Sequence, residues 1–382
     1  MTSTSPWFRL PLNAILPKQP TYFTGSVLGP SAERALQAAY EEFGAPLGAG
    51  TAVWDSRARR AALNDTLLQP ADESLRRLLG DSGGGLSRLL GGGAGKRTAA
   101  LITQTLADAP EMVARIERWW TRVWAMEWRQ ATVLQIMEEL EPRAEDALLA
   151  QQRVALSLAA ALQLQASQIK SVAAETVTGL NAGIDASLPA AGYTAALDSL
   201  ATSLKGVDTS GAGEDWRQWP AVLREPMDTF LTGYGRWADQ PLETARPRWV
   251  DDPSALLAVL PGSTAGHDSA KAGNRRATAA DSISRQLSGG KRKQFDAATA
   301  QVEQLVALLP RVHEAVVIVA AAARYWVSGA ANEALADGRL ETADEVFLLE
   351  LEELKQMMTG EWSNVEQVRP IIEARIHSPS QR

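Results

Sequence analysis

The chain has no cysteine and only three histidines among its 382 residues. The absence of cysteine excludes disulfides, thiolate nucleophiles and thiolate metal ligands, and it fits a reducing compartment. The histidines, His267, His313 and His377, are far apart in the sequence, so they offer little material for a metal centre. We therefore expect neither a metal site nor a cofactor site in this chain.

The sequence also lacks a positive charge balance and a long hydrophobic run. Its formal net charge of -7 argues against a general nucleic-acid binder. The N-terminal residues MTSTSPWFRLPL contain no basic region followed by an apolar core, so no signal peptide is expected. The longest apolar run, from Ala315 to Ala323, is too short to cross a bilayer. These features predict a soluble, cytoplasmic protein that binds neither nucleic acid nor membranes.

Helical periodicity is the main pattern that the sequence does contain. Apolar residues recur at helical spacing over long stretches, so we predict an all-α, multi-helix bundle with long central helices. Residues 1–30 contain five prolines and are predicted to lie as an irregular segment across the outside. We expect a single helical domain over residues 1–382, and a division into sub-bundles 1–204 and 216–376 stays open.

Prolines and small polar residues set the predicted helix boundaries. The first helix is expected from Ser31 to Phe43. The strongest helix is expected from Pro110 to Leu140, followed by a second from Ala144 to Gly179. These two would pack as a hairpin across Glu141-Pro142, and a later helix would break at Pro310.

A glycine-dense segment, Gly80 to Gly95, has the composition of a phosphate-binding loop but not its spacing. The P-loop motif needs a glycine where Leu90 stands and a hydroxyl residue where Arg97 stands. We therefore predict a flexible loop between helices.

The helix predicted from Pro110 carries tryptophans on two faces. Trp119 lies with the apolar residues of one face, whereas Trp120, Trp124 and Trp128 recur every fourth residue on a neighbouring face. A helix with so much apolar girth is either buried on several sides or offers aromatic side chains to a ligand. Trp120, Trp124 and Trp128 are therefore candidate binding residues, with a buried core helix as the alternative.

The stretch from Arg324 to Met358 predicts a helix, a stop and a second helix. The first helix carries five residues that fall near one face: Tyr325, Trp326, Ala330, Ala334 and Leu335. Gly338 ends that helix, and Thr342 to Glu345 has the pattern of a capping box. The apolar residues of the second segment are expected to face the core: Val346, Phe347, Leu349, Leu351 and Leu354.

The stretch from Trp219 to Leu260 has a similar design. A helix from Pro226 to Tyr234 is expected to end at Gly235 and to be followed by a polar loop. Asp251-Asp252-Pro253 then begins another helix, with proline in its first turn and acids at its positive end.

Both stretches resemble the central helical region of the phosphoenolpyruvate-utilising phosphotransferases, the group of phosphoenolpyruvate synthase and rifampicin phosphotransferase. The matching residues of the first stretch are Leu335, Gly338, Leu340, Glu345-Val346-Phe347, Leu349 and Glu353-Leu354. Those of the second are Phe230-Leu231, Tyr234-Gly235, Glu243, Pro247-Arg248-Trp249 and Asp252-Pro253. Arg236-Trp237-Ala238 replaces the family's His-Arg-Gly, and Glu314 is what remains of a later Arg-Glu pair.

The resemblance implies an enzyme whose chemistry is divided over several domains. Family members carry an ATP-grasp domain and a swivelling phosphohistidine domain, and this sequence contains the signature of neither. His267 lies in a polar loop that only superficially echoes the phosphohistidine signature, and an exposed loop histidine is expected there. The resemblance therefore implies partner proteins that carry these domains and bind ATP and Mg. It implies no catalytic residue in this chain. The candidates for substrate binding are the polar residues of the matched signature: Arg236, Glu243, Arg248 and Trp249.

Three functions stay open on the sequence alone. In the first, the chain is a scaffold or substrate-binding subunit of a split phosphotransferase and is not catalytic alone. Alternatively, it is a fragment or subunit of an active ATP-dependent dikinase-type phosphotransferase. The third alternative is a helical small-molecule-binding protein that uses the tryptophan face.

Overall fold

The computed structural model describes residues 8–80, 92–126, 130–169, 178–206, 216–260, 269–362 and 365–376. The α-helices of these residues are α1 (Tyr22–Glu42), α2 (Asp65–Gly80), α3 (Gly92–Ala125), α4 (Gln130–Ser167), α5 (Ala191–Ser203), α6 (Ala221–Tyr234), α7 (Pro253–Val259), α8 (Ser269–Gln286), α9 (Gly289–Ala336), α10 (Leu351–Thr359) and α11 (Val365–Ile376). Short 3-10 helices cover Leu12–Ala14, Leu188–Ala190, Trp216–Gln218 and Ala343–Leu348. Two short strands, β1 (Trp54–Asp55) and β2 (Arg60–Ala61), pair antiparallel. The predicted all-α fold is confirmed.

The centre of the molecule is the contact between the two longest helices, α4 with 38 residues and α9 with 48. Helix α1 packs on α4, and α3 packs on both α4 and α9. Alanine-rich faces on α4 and α9 let the helices approach closely, and the valines and isoleucine of residues 316–319 are almost fully buried. The predicted long central helices are therefore confirmed.

Prolines inside these helices overturn several predicted boundaries. The chain reverses between Ala125 and Gln130, not at Glu141-Pro142, so the helix predicted from residue 110 to residue 140 is in fact parts of α3 and α4. Pro110, Pro142 and Pro310 all lie inside helices.

An interior proline costs roughly 3 kcal/mol, because it removes a backbone hydrogen bond and crowds the preceding turn. Around Pro142, Leu140 and Ala144 are fully buried, and around Pro310, Leu309 and Val312 are fully buried. Burial on both sides of each proline outweighs its local cost, and the helix continues.

Residues 8–21 have little regular structure, as predicted, but they do not lie across the outside. Leu10, Ile15 and Leu16 are almost completely buried against the bundle. Helix α1 begins at Tyr22 rather than Ser31, because Thr21 caps it by accepting a hydrogen bond from the Thr24 backbone N–H. The predicted glycine loop is also shorter than expected, since α3 begins at Gly92, and residues 81–91 lie outside the described part of the chain.

Helix α1 lies against the short β-hairpin at two glycines. A Cβ added at Gly29 would lie 2.5 Å from the Trp54 indole, and one added at Gly25 would lie 2.9 Å from it. Trp54 itself is only 6% exposed. The two glycines therefore make room for the indole on the helix surface.

The segment after α9 follows the predicted sequence of signals. Gly338 adopts a left-handed conformation with φ of 71°, and Thr342 and Glu345 form the predicted capping box. This box opens the 3-10 helix Ala343–Leu348, and a second box formed by Glu350 and Glu353 opens α10. All five residues predicted to face the core after Gly338 are buried. In α11, Val368 and Ile372 are fully buried, whereas Val365 is exposed.

The buried side chains form one large cluster that includes residues from Phe8 to Ile372, and a smaller one around Ile283 and Phe295. The division into sub-bundles stays a prediction. Two helical segments, Val133–Ser167 and Gly289–Ala336, are long and apolar enough to cross a membrane, with 78% of the most apolar window of each buried in the protein. Core helices of soluble proteins meet the same criterion, so the two helices are weak evidence for a membrane span.

Candidate functional site

A cavity of about 630 Å³ lies between α3, the end of α6 and the C-terminal half of α9. Its volume is in the range of small-molecule sites. Helix α3 contributes Trp120 and Trp124 to its wall. We call it the arginine–tryptophan cavity, because Arg236, Arg248 and Arg324 line it together with these tryptophans.

The aromatic side of the cavity is formed where α3 meets α9. The Trp124 ring lies 5.0 Å from the Trp120 ring and 4.5 Å from the Tyr325 ring, measured between centroids. Trp124 is 49% exposed and Tyr325 is 40% exposed. Large aromatic side chains that stay this exposed at a cavity offer unfilled stacking surface.

The floor of the cavity is one face of α9 with small or polar side chains. Ala321, Ser328, Gly329 and Asn332 follow one another at helical spacing and leave room above the helix. The sequence placed Tyr325 and Leu335 near the same face of the helix as Trp326, but both side chains are 40% exposed. Trp326, Ala330 and Ala334 are buried on one face of α9. Residues 325 and 335 are next to Trp326 and Ala334 in sequence, so their side chains are rotated about 100° around the helix from that face.

The third side is a loop, residues 235–251, that we call the arginine loop. Its two ends pair through backbone hydrogen bonds, from Val250 N–H to Gly235 O at 2.8 Å and from Trp249 N–H to Trp237 O at 2.9 Å. Helix α6 ends at Gly235 as predicted, and a Cβ there would lie 2.5 Å from the Leu231 carbonyl oxygen. Glycine is therefore needed to turn the chain into the loop.

Arg248 is a buried cation whose guanidinium has no carboxylate partner among the described residues. Its side chain is bonded to two carbonyl oxygens of the loop, that of Pro241 at 2.7 Å and that of Glu243 at 3.4 Å. Its Nε has no hydrogen-bond partner among the described residues. Burial, and then the nearby Arg324 charge, lower the pKa of Arg248 to about 9, which still leaves it protonated at neutral pH.

Arg324 of α9 joins the helix to the arginine loop. Its Nη1 donates to the carbonyl oxygens of Thr244 at 3.0 Å and Ala245 at 2.9 Å, and its Nε lies 3.3 Å from Asp251 Oδ2. Asp251 also accepts a hydrogen bond from the Arg248 backbone N–H. Sequence reasoning named neither Arg324 nor Asp251 as a site residue, because the contacts between them span 73 residues of chain.

Arg236 is held differently, by an acid from α9. Its Nε lies 2.5 Å from Glu314 Oε1, and the Trp237 indole N–H donates to Glu314 Oε2 at 2.5 Å. Burial raises the pKa of Glu314, and these two partners oppose that effect by favouring the carboxylate. Arg236 and Trp237 thus share one carboxylate, so Arg236 reaches the cavity as a charge-paired group.

The structure brings four of the seven predicted site residues to this cavity: Arg236, Arg248, Trp120 and Trp124. Two others, Trp249 and Glu243, do not line it. Trp249 is buried and its indole N–H donates to the Tyr193 hydroxyl at 3.2 Å, so it pins the arginine loop to α5. Glu243 is buried on the far side of the loop against α1, and Trp128 lies outside the described residues.

His313 is buried in the bundle and is locked as a neutral ring. Gln151 Nε2 donates to the Ala14 carbonyl oxygen at 3.0 Å and lies 2.9 Å from His313 Nδ1. Since the amide nitrogen that faces a carbonyl can only donate, Nδ1 accepts and carries no proton. Burial lowers the pKa of His313 to about 4.

This burial predicts an acid-dependent loss of stability. Between pH 6.5 and about 4 the unfolded chain binds a proton at residue 313 and the folded chain does not, so the free energy of unfolding falls as the pH falls. Between pH 7.5 and 5 we expect the wild type to lose about 2 kcal/mol more than His313→Gln. Urea unfolding of both proteins at the two pH values measures the difference, and parallel losses would contradict the assignment.

Within the described part of the chain, no group of three or more His, Asp or Glu side chains is arranged to hold a metal ion. No protein-family model matches the chain, and no curated protein is significantly similar to it. The resemblance to the phosphoenolpyruvate-utilising phosphotransferases therefore stays a prediction.

Proposed function

We propose that this chain is a cytoplasmic, substrate-binding subunit of a split phosphotransferase of the phosphoenolpyruvate synthase type. The arginine–tryptophan cavity would hold the substrate. Nucleotide-binding and phosphohistidine domains on separate chains would bind ATP and Mg and would carry the phosphoryl group.

The observation that carries the proposal is the position of Arg324. Its guanidinium lies 5.5 Å from the ring centroid of Phe347, a residue of one stretch that resembles the family. The same guanidinium bonds to Thr244 and Ala245 in the arginine loop, which belongs to the other stretch. The two stretches are thus joined at the wall of one cavity, and this supports a shared role in substrate binding.

The chemistry of the lining supports binding rather than catalysis. Apart from the three arginines, its titratable side chains are Asp251 and Tyr325. Asp251 accepts hydrogen bonds from Arg248 and Arg324 and is not free to act as a base. Phosphoryl transfer depends mainly on positioning and charge stabilisation. A chain with arginines and stacking rings can supply both, while partner chains supply the reactive groups.

Affinity purification from the native organism, with mass spectrometry of the bound proteins, tests the proposal. We expect to recover an ATP-grasp protein and a phosphohistidine-domain protein with the tagged chain. Their recovery would also let ATP turnover by the assembled proteins be assayed, which would bear on the dikinase-type alternative. Recovery of the chain alone, from extracts where such proteins are present, would contradict the proposal.

A helical small-molecule-binding protein that works without phosphotransferase partners is the second candidate. The exposed rings of Trp124 and Tyr325 favour it, because they offer an apolar surface at the cavity. Quenching of tryptophan fluorescence by hydrophobic ligands, with no partner domain recovered, would select this candidate.

A further inference from the structure

The charge of the arginine–tryptophan cavity is unbalanced although the chain as a whole is acidic. Its lining contains three arginines and one aspartate, whereas the chain carries a net charge of -7. Arg236 is neutralised by Glu314. The excess therefore belongs to Arg248 and Arg324. The Arg324 guanidinium contacts Asp251, whereas Arg248 bonds to this carboxylate only through its backbone N–H.

Arg248 has the stronger need for a counter-charge. It is only 3% exposed, its hydrogen bonds go to backbone carbonyl oxygens, and its Nε has no partner among the described residues. Burial of a cation without a paired anion is costly. An anion in the cavity would supply the negative counter-charge for Arg248. The neighbouring Arg324 would be a second hydrogen-bond donor to the same anion.

The aromatic residues of the cavity would bind a different part of a ligand from the part that the arginines bind. Trp124 and Tyr325 are the exposed members of a row of three rings, and the small side chains of Ala321, Ser328 and Gly329 leave space beside them. A flat ring that covers these faces would bury apolar surface and make offset contacts with the aromatic side chains.

We propose that the substrate is a planar aromatic molecule with a carboxylate or phosphate group, whose ring lies on Trp124 and Tyr325 and whose acidic group contacts Arg248 and Arg324. This inference rests on the proposed function, because it names the substrate class of the same cavity. Both acidic groups present a pair of acceptor oxygens that the planar fork of a guanidinium can bind through two parallel hydrogen bonds.

Calorimetric titration of the full chain with four probes tests the inference. The probes are 1-naphthoate, 1-naphthyl phosphate, 1-naphthylmethanol and inorganic phosphate. We expect at least one naphthyl anion to bind at least about tenfold more tightly than both the neutral alcohol and inorganic phosphate. Binding of only one naphthyl anion would support the inference and identify the acidic group.

Substitutions assign the binding to the cavity. Arg248→Met and Arg324→Met should each weaken the naphthyl anion at least about tenfold and leave the alcohol unchanged. Trp124→Ala should weaken the naphthyl anion and the alcohol to a similar degree. Arg34→Met is the control, because Arg34 pairs with Glu145 on the surface, away from the cavity. Circular dichroism checks that each variant is folded. If Arg248→Met is not folded, the binding of Arg324→Met decides the result.

Three results would overturn the inference. These are equal binding of the alcohol and the naphthyl anions, binding of phosphate as tight as that of naphthyl phosphate, and no binding of any probe. Partner capture by a chain that binds none of the probes would overturn the substrate class alone. Probe binding by a chain that captures no partner would instead overturn the split-enzyme proposal alone.

Discussion

Glu243→Ala is expected to lower the free energy of unfolding by about 3–5 kcal/mol. The carboxylate is buried and accepts four hydrogen bonds, from Thr21 N–H at 3.0 Å, Thr21 Oγ1 at 2.8 Å, Thr24 Oγ1 at 2.6 Å and Ala245 N–H at 2.9 Å. Alanine would leave these donors without an acceptor in the protein interior. It would also remove the contacts of this carboxylate with the first turn of α1 and leave the arginine loop joined to it through Thr244 and Thr24.

Chemical denaturation of the wild type and the variant measures this loss. Glu73→Ala is the matched control, because Glu73 is an exposed residue that pairs with Arg77 one helical turn away. Its expected effect is about 0.5 kcal/mol or less. An effect of Glu243→Ala as small as that of the control would show that the carboxylate does not hold the loop. Since Arg248 lies in the same loop, we also expect Glu243→Ala to weaken probe binding.

Trp54→Ala is expected to cost about 3–5 kcal/mol, because it empties a buried space on α1. The sharper prediction concerns Gly29. In the wild type, Gly29→Ala should cost about 1–3 kcal/mol, since the new methyl group would overlap the indole at 2.5 Å. In the Trp54→Ala background the overlap is gone, and alanine should stabilise the helix by about 0.5–1 kcal/mol. The sign of the Gly29 effect therefore depends on residue 54.

A double-mutant cycle measures this coupling from four unfolding curves. Gly233→Ala is the control, because Gly233 lies inside α6 with no heavy atom within 4 Å of an added Cβ. It should be neutral or stabilising in both backgrounds. Additive effects of the Gly29 and Trp54 changes would contradict the close contact between α1 and the hairpin.

Local signals in the sequence predicted the turns of this fold well. Gly338, the capping box of Thr342 and Glu345, the stop at Gly235 and the cap at Asp252 all lie where the pattern placed them. Each of these depends on residues within a few positions of one another. Breaks inferred from Pro142 and Pro310 were wrong, because burial by distant helices decides whether a proline ends a helix.

In the candidate site, too, local sequence patterns identified residues, but contacts with distant parts of the chain decide where their side chains lie. Sequence motifs singled out Arg248, Trp249 and Glu243 together, but the three side chains have different surroundings. Arg248 lines the cavity, Trp249 contacts Tyr193, and Glu243 contacts residues 222 positions earlier in the chain. Arg324 and Tyr325 were missed as site residues, although their spacing with Ser328 and Asn332 marks a polar face on α9. That face becomes visible only once the buried face of the helix is known.

Reconstituted ATP turnover tests the central claim most directly. The partner proteins recovered with this chain would be purified separately and assayed for substrate-dependent ATP consumption, alone and with the wild-type chain or Arg248→Met. A substrate-binding subunit predicts turnover that requires the wild-type chain and needs a higher substrate concentration with the variant. Turnover that is the same with and without the chain would contradict a role in substrate binding.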